Sequence, residues 1–330
     1  MKRYTHAWLA MMAIKRLDKA DIPETEGRGK NPQQVAKYAK SLVRWFKNYR
    51  DFVVQGAWYP DEVLCDQGSS HGRKLEHDTI SLELQPFMTL PKTMEVYNLM
   101  QKSELFEEPY ADRKGNVCDR CDAMAHNIVD NFKIQFREEK GNPIGPSSTH
   151  MALRFFMMSH YIADAHMPLH CDARKLDKLH AAIEGSWEDQ VWASYYIDDD
   201  NRRFFYDRDG YPLATDKMSA MITAVEEKLL SRPFCYGWGG KDYSTRDYIK
   251  AVTEYSYLMA HEMIPEACEK LSWSQYKKHE RFQRFDEYTA MLMADAVDSI
   301  ARAWLHVWIR YREWGPDKVV GQSDPVLPVD

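Results

Sequence analysis

The sequence predicts an all-α protein, with one mostly helical domain over residues 1–314 and a flexible tail over residues 315–330. Hydrophobic residues make up 44% of the 330 positions, which is enough for a large core, and no Pro/Gly/Ser-rich linker divides the chain. Residues 279–312 give a clear helix signal, because apolar side chains recur there with the helical period from Met291 to Trp308. The final residues are rich in Gly, Pro and Asp, which favours a flexible end.

Helices are predicted, in chain order, over residues 4–18, 32–55, 91–102, 118–138, 147–166, 176–194, 216–230, 245–270 and 279–312. The first contains the apolar run Ala7–Ile14, which Lys15 and Arg16 close. This run is too short for a signal peptide and lacks a small-residue cleavage site, so we expect the first helix of a cytoplasmic protein. Residues 195–215 are rich in turn-forming residues and are predicted to contain a short hairpin.

Charge and hydropathy restrict the partners of the chain. No stretch approaches the ~20 apolar residues that a membrane span requires. A formal charge of −6 argues against electrostatic capture of nucleic acid, so no stable nucleic-acid partner is expected. The sequence leaves the oligomeric state open.

Six cysteines in a chain of this length give no disulfide-framework pattern. Cys118 and Cys121 form a lone C-x-x-C, without a second pair at matching spacing. Reduced thiols are therefore favoured over a zinc knuckle at this pair.

Two His-x3-carboxylate pairs stand close together in the middle of the chain, His160 with Asp164 and His180 with Glu184. Residues four apart on a helix project from one face, so the two side chains of each pair can bind the same cation. Between the pairs, Pro168 ends a helix and turns His170 back towards it. A lone His is usually a hydrogen-bonded core or surface residue, but two pairs joined by a third His argue against coincidence. Imidazole nitrogen together with carboxylate oxygen suits zinc.

The run His160-x3-Asp164-x3-Pro168-x-His170 resembles the central motif of the zinc-dependent phospholipase C and single-strand-specific nuclease superfamily. The resemblance extends upstream to residues 56–61, Gly-Ala-Trp-Tyr-Pro-Asp, and to His6, and covers roughly residues 1–190. Its central spacing is specific, whereas the upstream pieces alone would be weak. Members of this superfamily are mostly helical and hold three zinc ions in a cleft, so the resemblance implies up to three Zn²⁺ here.

The resemblance also implies which residues bind each zinc ion. One zinc would be bound by Asp61, His71, His160 and Asp164, a second by His170, His180 and Glu184, and a third by His6, a bridging Asp164 and the amino and carbonyl groups of Met1. The alternative at the third site is a frayed terminus, with His6 hydrogen-bonded on the first helix.

The histidine that accompanies Asp61 is open between two residues. His71 follows the turn-forming stretch 66–70 and is favoured over His77, which sits in a charged run and is expected to face solvent. His166 lies six residues after His160 and falls off the ligand face, so it is predicted to pack or to support the site.

Three divalent ions in one cleft can neutralise a phosphodiester, orient it and lower the pKa of a bridging water to about 7. Asp61, expected on a loop just past Pro60, is the candidate catalytic residue, which would bind zinc and steer or deprotonate the water. A purely ligating role for Asp61 is equally compatible with the sequence. Because every ligand must be deprotonated, activity is expected to fall on acidification.

The resemblance implies a zinc-dependent phosphodiester hydrolase of the phospholipase C type, and the expected partner is a phosphodiester or phospholipid substrate. The connection between His170 and His180 is short and lacks the Gly-Gly-Asn segment of the nuclease branch. Glu62 replaces the aromatic residue that choline-recognising members carry after the zinc-binding Asp, which puts a choline preference in doubt. Two alternatives are a single-strand nuclease or nucleotidase with aromatic pockets that stack bases, and a non-catalytic helical protein with structural zinc, whose sites are closed by four protein ligands.

Overall fold

The computed structural model describes residues 1–19, 32–66, 68–75, 115–133, 136–137, 143–144, 146–234, 236 and 244–313. Its α-helices are α1 (Arg3–Asp18), α2 (Pro32–Lys47), α3 (Val53–Glu62), α4 (Val117–Lys133), α5 (Ser148–Ala165), α6 (Pro168–Cys171), α7 (Asp177–Ser194), α8 (Ala220–Ser231), α9 (Thr245–Met263), α10 (Trp273–Tyr276) and α11 (Phe285–Glu313). Short 3-10 helices span Arg50–Phe52, Ser69–His71, Glu266–Cys268 and Glu280–Arg284. The strands are β1 (Phe136–Arg137), β2 (Pro143–Ile144), β3 (Ile197–Asp198) and β4 (Arg203–Phe204).

The all-α fold class is confirmed, because long helices make up most of the described chain and each of its strands has two residues. β1 pairs with β2, and β3 pairs antiparallel with β4, so that Ile197 faces Phe204. The second pair is the hairpin predicted within residues 195–215. The helix predicted over 91–102 and the predicted tail over 315–330 lie outside the described residues.

Several predicted helix ends are wrong for identifiable reasons. α8 begins at Ala220 instead of residue 216, because the Ser219 side chain accepts a hydrogen bond from the Ile222 N–H and caps the helix there. α9 ends at Met263 instead of residue 270, because the residue before Pro265 avoids the helical conformation. The segment predicted as one helix from residue 279 starts as the 3-10 helix Glu280–Arg284 before α11 begins.

The helix predicted over residues 32–55 is in fact two helices, α2 and α3, with a 3-10 turn between them. Asp61 lies inside α3, so its expected position on a loop is wrong. Pro60 lies inside α3 and donates no N–H to the helix, yet α3 continues through it to Glu62. Helical geometry therefore fixes Asp61 relative to Trp58, one turn earlier.

α1 lies in the interior of the molecule, since every residue from Tyr4 to Ile14 is buried. A helix that is apolar on all sides is either central to a large core or membrane-spanning. Within the described ranges, no helix has both the length and the apolar character that crossing a membrane requires. The run Ala7–Ile14 is therefore part of the core.

α3 and α5 approach each other closely at Gly56. A Cβ placed on this residue would lie 2.6 Å from the Cβ of Phe156, so only glycine permits the contact without a shift. One turn beyond this contact, α3 presents Asp61 and α5 presents His160 to the same region.

Candidate metal centre

The carboxylate of Asp164 lies at the centre of a cluster of histidines and acids, and its Oδ2 faces two imidazoles. Oδ2 is 2.7 Å from Nδ1 of His71 and 3.2 Å from Nε2 of His160. Oδ1 of Asp61 lies 3.7 Å from Nε2 of His71 and 3.6 Å from Nε2 of His160. His160 Nδ1 is 2.7 Å from the Ala57 carbonyl, so an Nδ1–H donated to that oxygen leaves Nε2 as the lone-pair atom facing the cluster.

The other oxygen of Asp164 faces the amino terminus. Oδ1 lies 3.1 Å from the α-amino nitrogen of Met1, 3.4 Å from Nε2 of His6 and 3.4 Å from Nδ1 of His170. The two carboxylate oxygens therefore have different sets of neighbours. A carboxylate that bridges two metal ions requires such an arrangement.

Two groups of ligand-type residues can be defined from these contacts. The inner group is His6, Asp61, His71, His160 and Asp164, and the outer group is His170, His180 and Glu184. Three sets of three residues have ligand atoms within 4.8 Å of one another: His6 with His160 and Asp164, Asp61 with His71 and His160, and the complete outer group.

The outer group is tied to the inner group through the amino terminus. Oε1 of Glu184 lies 2.9 Å from Nε2 of His180 and 3.4 Å from Nε2 of His170. The same oxygen lies 2.7 Å from the Met1 nitrogen, which also contacts Asp164. The α-amino group thus lies between the two groups.

Glu188 positions α1, which carries His6. Its carboxylate accepts hydrogen bonds from the backbone N–H groups of Tyr4 and Thr5 and from the Thr5 hydroxyl, at 3.0, 2.8 and 2.8 Å. These N–H groups belong to the first turn of α1, which has no partner for them within the helix. A carboxylate there also complements the helix dipole. Glu184 and Glu188, four residues apart on α7, therefore hold the amino terminus and the helix behind it.

Gly72 allows the chain after His71 to lie against the turn that carries His170. A Cβ on Gly72 would lie 2.2 Å from the His170 carbonyl oxygen. Backbone hydrogen bonds from the Leu75 N–H to Cys171 and from the Ala173 N–H to Leu75 continue this contact. The two segments that present His71 and His170 are thereby fixed relative to each other.

Several buried nitrogens of the cluster have no hydrogen-bond partner. They are both ring nitrogens of His6, Nε2 of His71 and Nδ1 of His170. Buried polar atoms are normally paired, and an unpaired one calls for an explanation such as a bound ion. Nitrogen and carboxylate donors at these positions form the ligand mixture that suits Zn²⁺. The residues present therefore fit a zinc cluster.

The charges of the cluster shift the pKa values of its acids and of the amino terminus. Burial acts to raise the pKa of Asp164, but the Met1 amine and the surrounding imidazoles outweigh it and hold that pKa well below its usual range. Glu184 behaves in the same way, because the Met1 amine and two histidines face it. Burial acts to lower the pKa of the Met1 amine, but Asp164 and Glu184 outweigh it and raise the pKa from 8.0 to about 10.

The histidines differ in how readily they take a proton. Burial lowers the pKa of His170, and burial with the neighbouring His160 lowers that of His6 well below 6.5. Both imidazoles are therefore neutral near pH 7, as metal ligands must be. Burial acts to lower the pKa of His71, but the hydrogen bond and charge of Asp164 outweigh it and raise the pKa. Burial raises the pKa of Asp61.

The cluster opens on a cleft of about 520 Å³. Its lining residues are Met1, Lys2, Trp58, Asp61, Gly68, His71, Gly72, Lys74, Asp164, His170, His180 and Glu184. Members of both groups are therefore reachable from one opening. A small ester that enters this cleft would meet ligand-type side chains from α3, α5 and α7.

The structure brings together all of the residues predicted as zinc ligands. His71 is among them, while its alternative His77 lies outside the described residues. His166 lies apart from the cluster, and its Nε2 is 2.8 Å from the Ser299 hydroxyl. Cys118 and Cys121 are buried on α4 and belong to none of the ligand groups found among the described residues.

Sequence reasoning did not identify Trp58, Lys74, Gly72 or Glu188 as parts of the site. Trp58 lines the cleft, and its ring centre lies 6.0 Å from that of His6. The sequence offered two signals: Glu188 stands four residues after Glu184 on one helix face, and Trp58 lies in the segment 56–61 that carries part of the resemblance. The other contacts arise from segments that are distant in the chain.

Comparisons of the chain with protein-family models, with curated proteins and with solved structures find no match. What the cluster does must therefore be inferred from its geometry and chemistry.

Proposed function

We propose that the chain is a zinc-dependent hydrolase of phosphate esters, a phospholipase C-like phosphodiesterase that uses up to three metal ions. The observation that carries this proposal is the position of Asp164, whose two carboxylate oxygens face separate sets of ligand-type atoms in a cluster that opens on a cleft. A carboxylate shared in this way suits a multinuclear centre better than a single isolated ion.

The make-up of the outer group favours a catalytic centre over a structural one. His170, His180 and Glu184 offer three protein ligands beside the cleft, and catalytic zinc sites keep such an open position whereas structural sites are closed by four protein ligands. When bound, divalent ions would supply Lewis acidity that neutralises the phosphate ester and lowers the pKa of water.

Asp61 is proposed to accept the proton of the attacking water. It lines the cleft, and its Oδ1 lies within 3.7 Å of both His71 and His160. Burial raises its pKa, which makes its carboxylate a better base than an exposed aspartate. His71 and His160 lie beside this carboxylate on one side of the cleft.

One observation favours a nuclease or nucleotidase as the second candidate. Trp58 lines the cleft and offers an aromatic face on which a nucleobase can stack. Against it stands the formal charge of −6, which opposes binding of a long polyanion.

A cytoplasmic location belongs to the main proposal. It is supported by the free thiols of the described cysteines, since disulfides are rare in the cytosol. These cysteines are Cys65, Cys118, Cys121, Cys171 and Cys268.

Metal analysis combined with a substrate panel tests the proposal. Purified protein should hold roughly two to three zinc ions per chain, and a chelator should abolish hydrolysis of nitrophenyl phosphodiesters. Only a trace of divalent metal would contradict the mechanism. Single-stranded DNA cut with a kcat/KM about tenfold above that of phospholipids and small diesters would select the nuclease. Full zinc occupancy without turnover of any ester would select a structural role.

A further inference from the structure

The charged side chains that line the described cleft and are not predicted metal ligands are positive. The acids lining it are Asp61, Asp164 and Glu184, all of which belong to the predicted ligand set. Among the described lining residues, the remaining charged side chains are Lys2 and Lys74. Once the acids bind metal, a substrate entering the cleft meets two ammonium groups and no free carboxylate.

Lys74 is held in place beside the outer group. Its Nζ donates to the carbonyl oxygens of Leu169 and Asp172, at 2.5 and 3.0 Å, on either side of His170. An ammonium has three N–H donors, so a third remains for a group in the cleft. The close approach of Gly72 to the His170 backbone fixes the segment that carries Lys74. The ammonium group of Lys74 therefore has a defined position in the cleft.

The described cleft does not provide a receptor for a cationic headgroup. Quaternary ammonium groups are recognised by several aromatic faces together, and Trp58 is the one aromatic residue among the described lining residues. Glu62, which follows Asp61, does not line the cleft. Its carboxylate lies 3.6 Å from Arg3 and 2.8 Å from Arg202, and both guanidinium groups neutralise it.

We propose that the cleft selects phosphate esters without a cationic headgroup, and that Lys74 is the residue that determines this specificity. The third N–H of Nζ donates to an oxygen of the substrate, and the same charge repels a quaternary ammonium at that position. This inference rests on the proposed phosphate-ester hydrolysis, because it names the substrate class of that same site. The class includes esters of glycerol and of other uncharged or anionic alcohols, and excludes those of choline.

Kinetics on two matched diesters test the proposal. Methyl nitrophenyl phosphate and nitrophenyl phosphorylcholine share a leaving group and differ in the cationic headgroup. The wild-type kcat/KM should favour the methyl ester, and Lys74→Met should lower that preference about tenfold, because it removes the repulsion of the quaternary ammonium, whereas the hydrogen bond to a phosphate oxygen is lost for both esters. Lys74→Arg should keep the preference. Lys175→Met, which removes an equal charge outside the cleft lining, is the control and should leave the ratio unchanged.

A binding experiment separates failure of this inference from failure of the proposed function. Calorimetry on zinc-loaded protein compares glycerol 3-phosphate with phosphocholine, which requires no turnover. Tighter binding of glycerol 3-phosphate that depends on Lys74 supports the inference even if no ester is hydrolysed. Hydrolysis with an unchanged ratio in a zinc-loaded Lys74→Met protein would overturn the inference and leave the proposed function intact. Wild-type preference for phosphocholine would overturn the inference even if Lys74→Met failed to fold.

Discussion

The inner and outer groups use the same residue types but differ in how the fold supports them. The inner histidines His6 and His160 have fully buried side chains and lie on long helices of the core. In the outer group the side chain of His180 is 28% exposed, and His170 stands on the four-residue helix α6. His160 also has a supporting contact in the core, since its Nδ1 lies 2.7 Å from the Ala57 carbonyl oxygen.

One centre can therefore combine ligands on rigid core helices with ligands that are more accessible to solvent. Ligands fixed by core helices lose little additional entropy when an ion binds, whereas the partly exposed side chain of His180 must be ordered by the ion. The inner group is therefore expected to hold metal more tightly. The outer group, which opens towards solvent, is expected to exchange its ion more readily.

The largest effect is expected from Asp164→Asn, because Asp164 contacts both groups. The variant should lose more than one zinc ion per chain, with kcat/KM reduced by at least about 100-fold. Metal-free protein should also be destabilised by about 3 kcal/mol, since the buried Met1 amine loses a charged partner. Elemental analysis and denaturant unfolding measure the two effects. Equal zinc retention in Asp164→Asn and His180→Ala would contradict a bridging role for Asp164.

Blocking the α-amino group of Met1 should come next, because this nitrogen joins Asp164 of the inner group to Glu184 of the outer group. Acetylation, or a tag fused directly before Met1, should cost about one zinc ion and most of the activity. A C-terminal tag is the control and should cost neither. Full metal content and turnover in the N-terminally extended protein would show that Met1 is not a ligand.

His180→Ala should affect the outer group alone. We expect the loss of about one zinc ion and a 10- to 100-fold decrease in activity, roughly the range seen when ligand support at metal sites is removed. Because His180 is partly exposed, stability of the metal-free protein should change by no more than about 0.5 kcal/mol. Loss of all zinc would mean that the two groups do not bind independently.

The smallest effect is a pH dependence of the metal-free protein. The pKa of the Met1 amine is raised from 8.0 to about 10 in the folded state, so its ion pairs stabilise the fold fully below pH 8. That contribution, about 3 kcal/mol, is lost as the pH rises through 10. Unfolding free energies at pH 7.5 and 10.5 measure it, with N-acetylated protein as the control. Equal pH dependence in both proteins would exclude the amine as the source.

Local sequence patterns were sufficient for most of the long helices and for the two His-x3-carboxylate pairs. The spacing of His160 and Asp164 places them on one helix face whatever the rest of the chain does. The break between α2 and α3 was missed, because a 3-10 turn keeps the apolar pattern running. The position of Asp61 was wrong because the helix was predicted to end at residue 55 with Asp61 on a loop past Pro60, whereas α3 continues through Pro60 to Glu62.

Contacts between distant segments were beyond these patterns. Gly72 matters only because the chain passes against His170, and Lys74 only because that passage brings it to two carbonyl groups. Neither residue stands in a recognisable motif. Glu188 caps a helix that begins 185 positions earlier, at Arg3, and no local capping signal marks such a partner.

The cap that Glu188 places on α1 has a consequence for synthesis of the chain. Tyr4 and Glu188 are 184 residues apart, so at about 5–20 residues per second α1 leaves the ribosome roughly 10–40 s before its cap exists. During that interval its apolar surface from Tyr4 to Ile14 has no completed core to cover it. The nascent chain is therefore expected to need a chaperone at its first helix until α7 has been made.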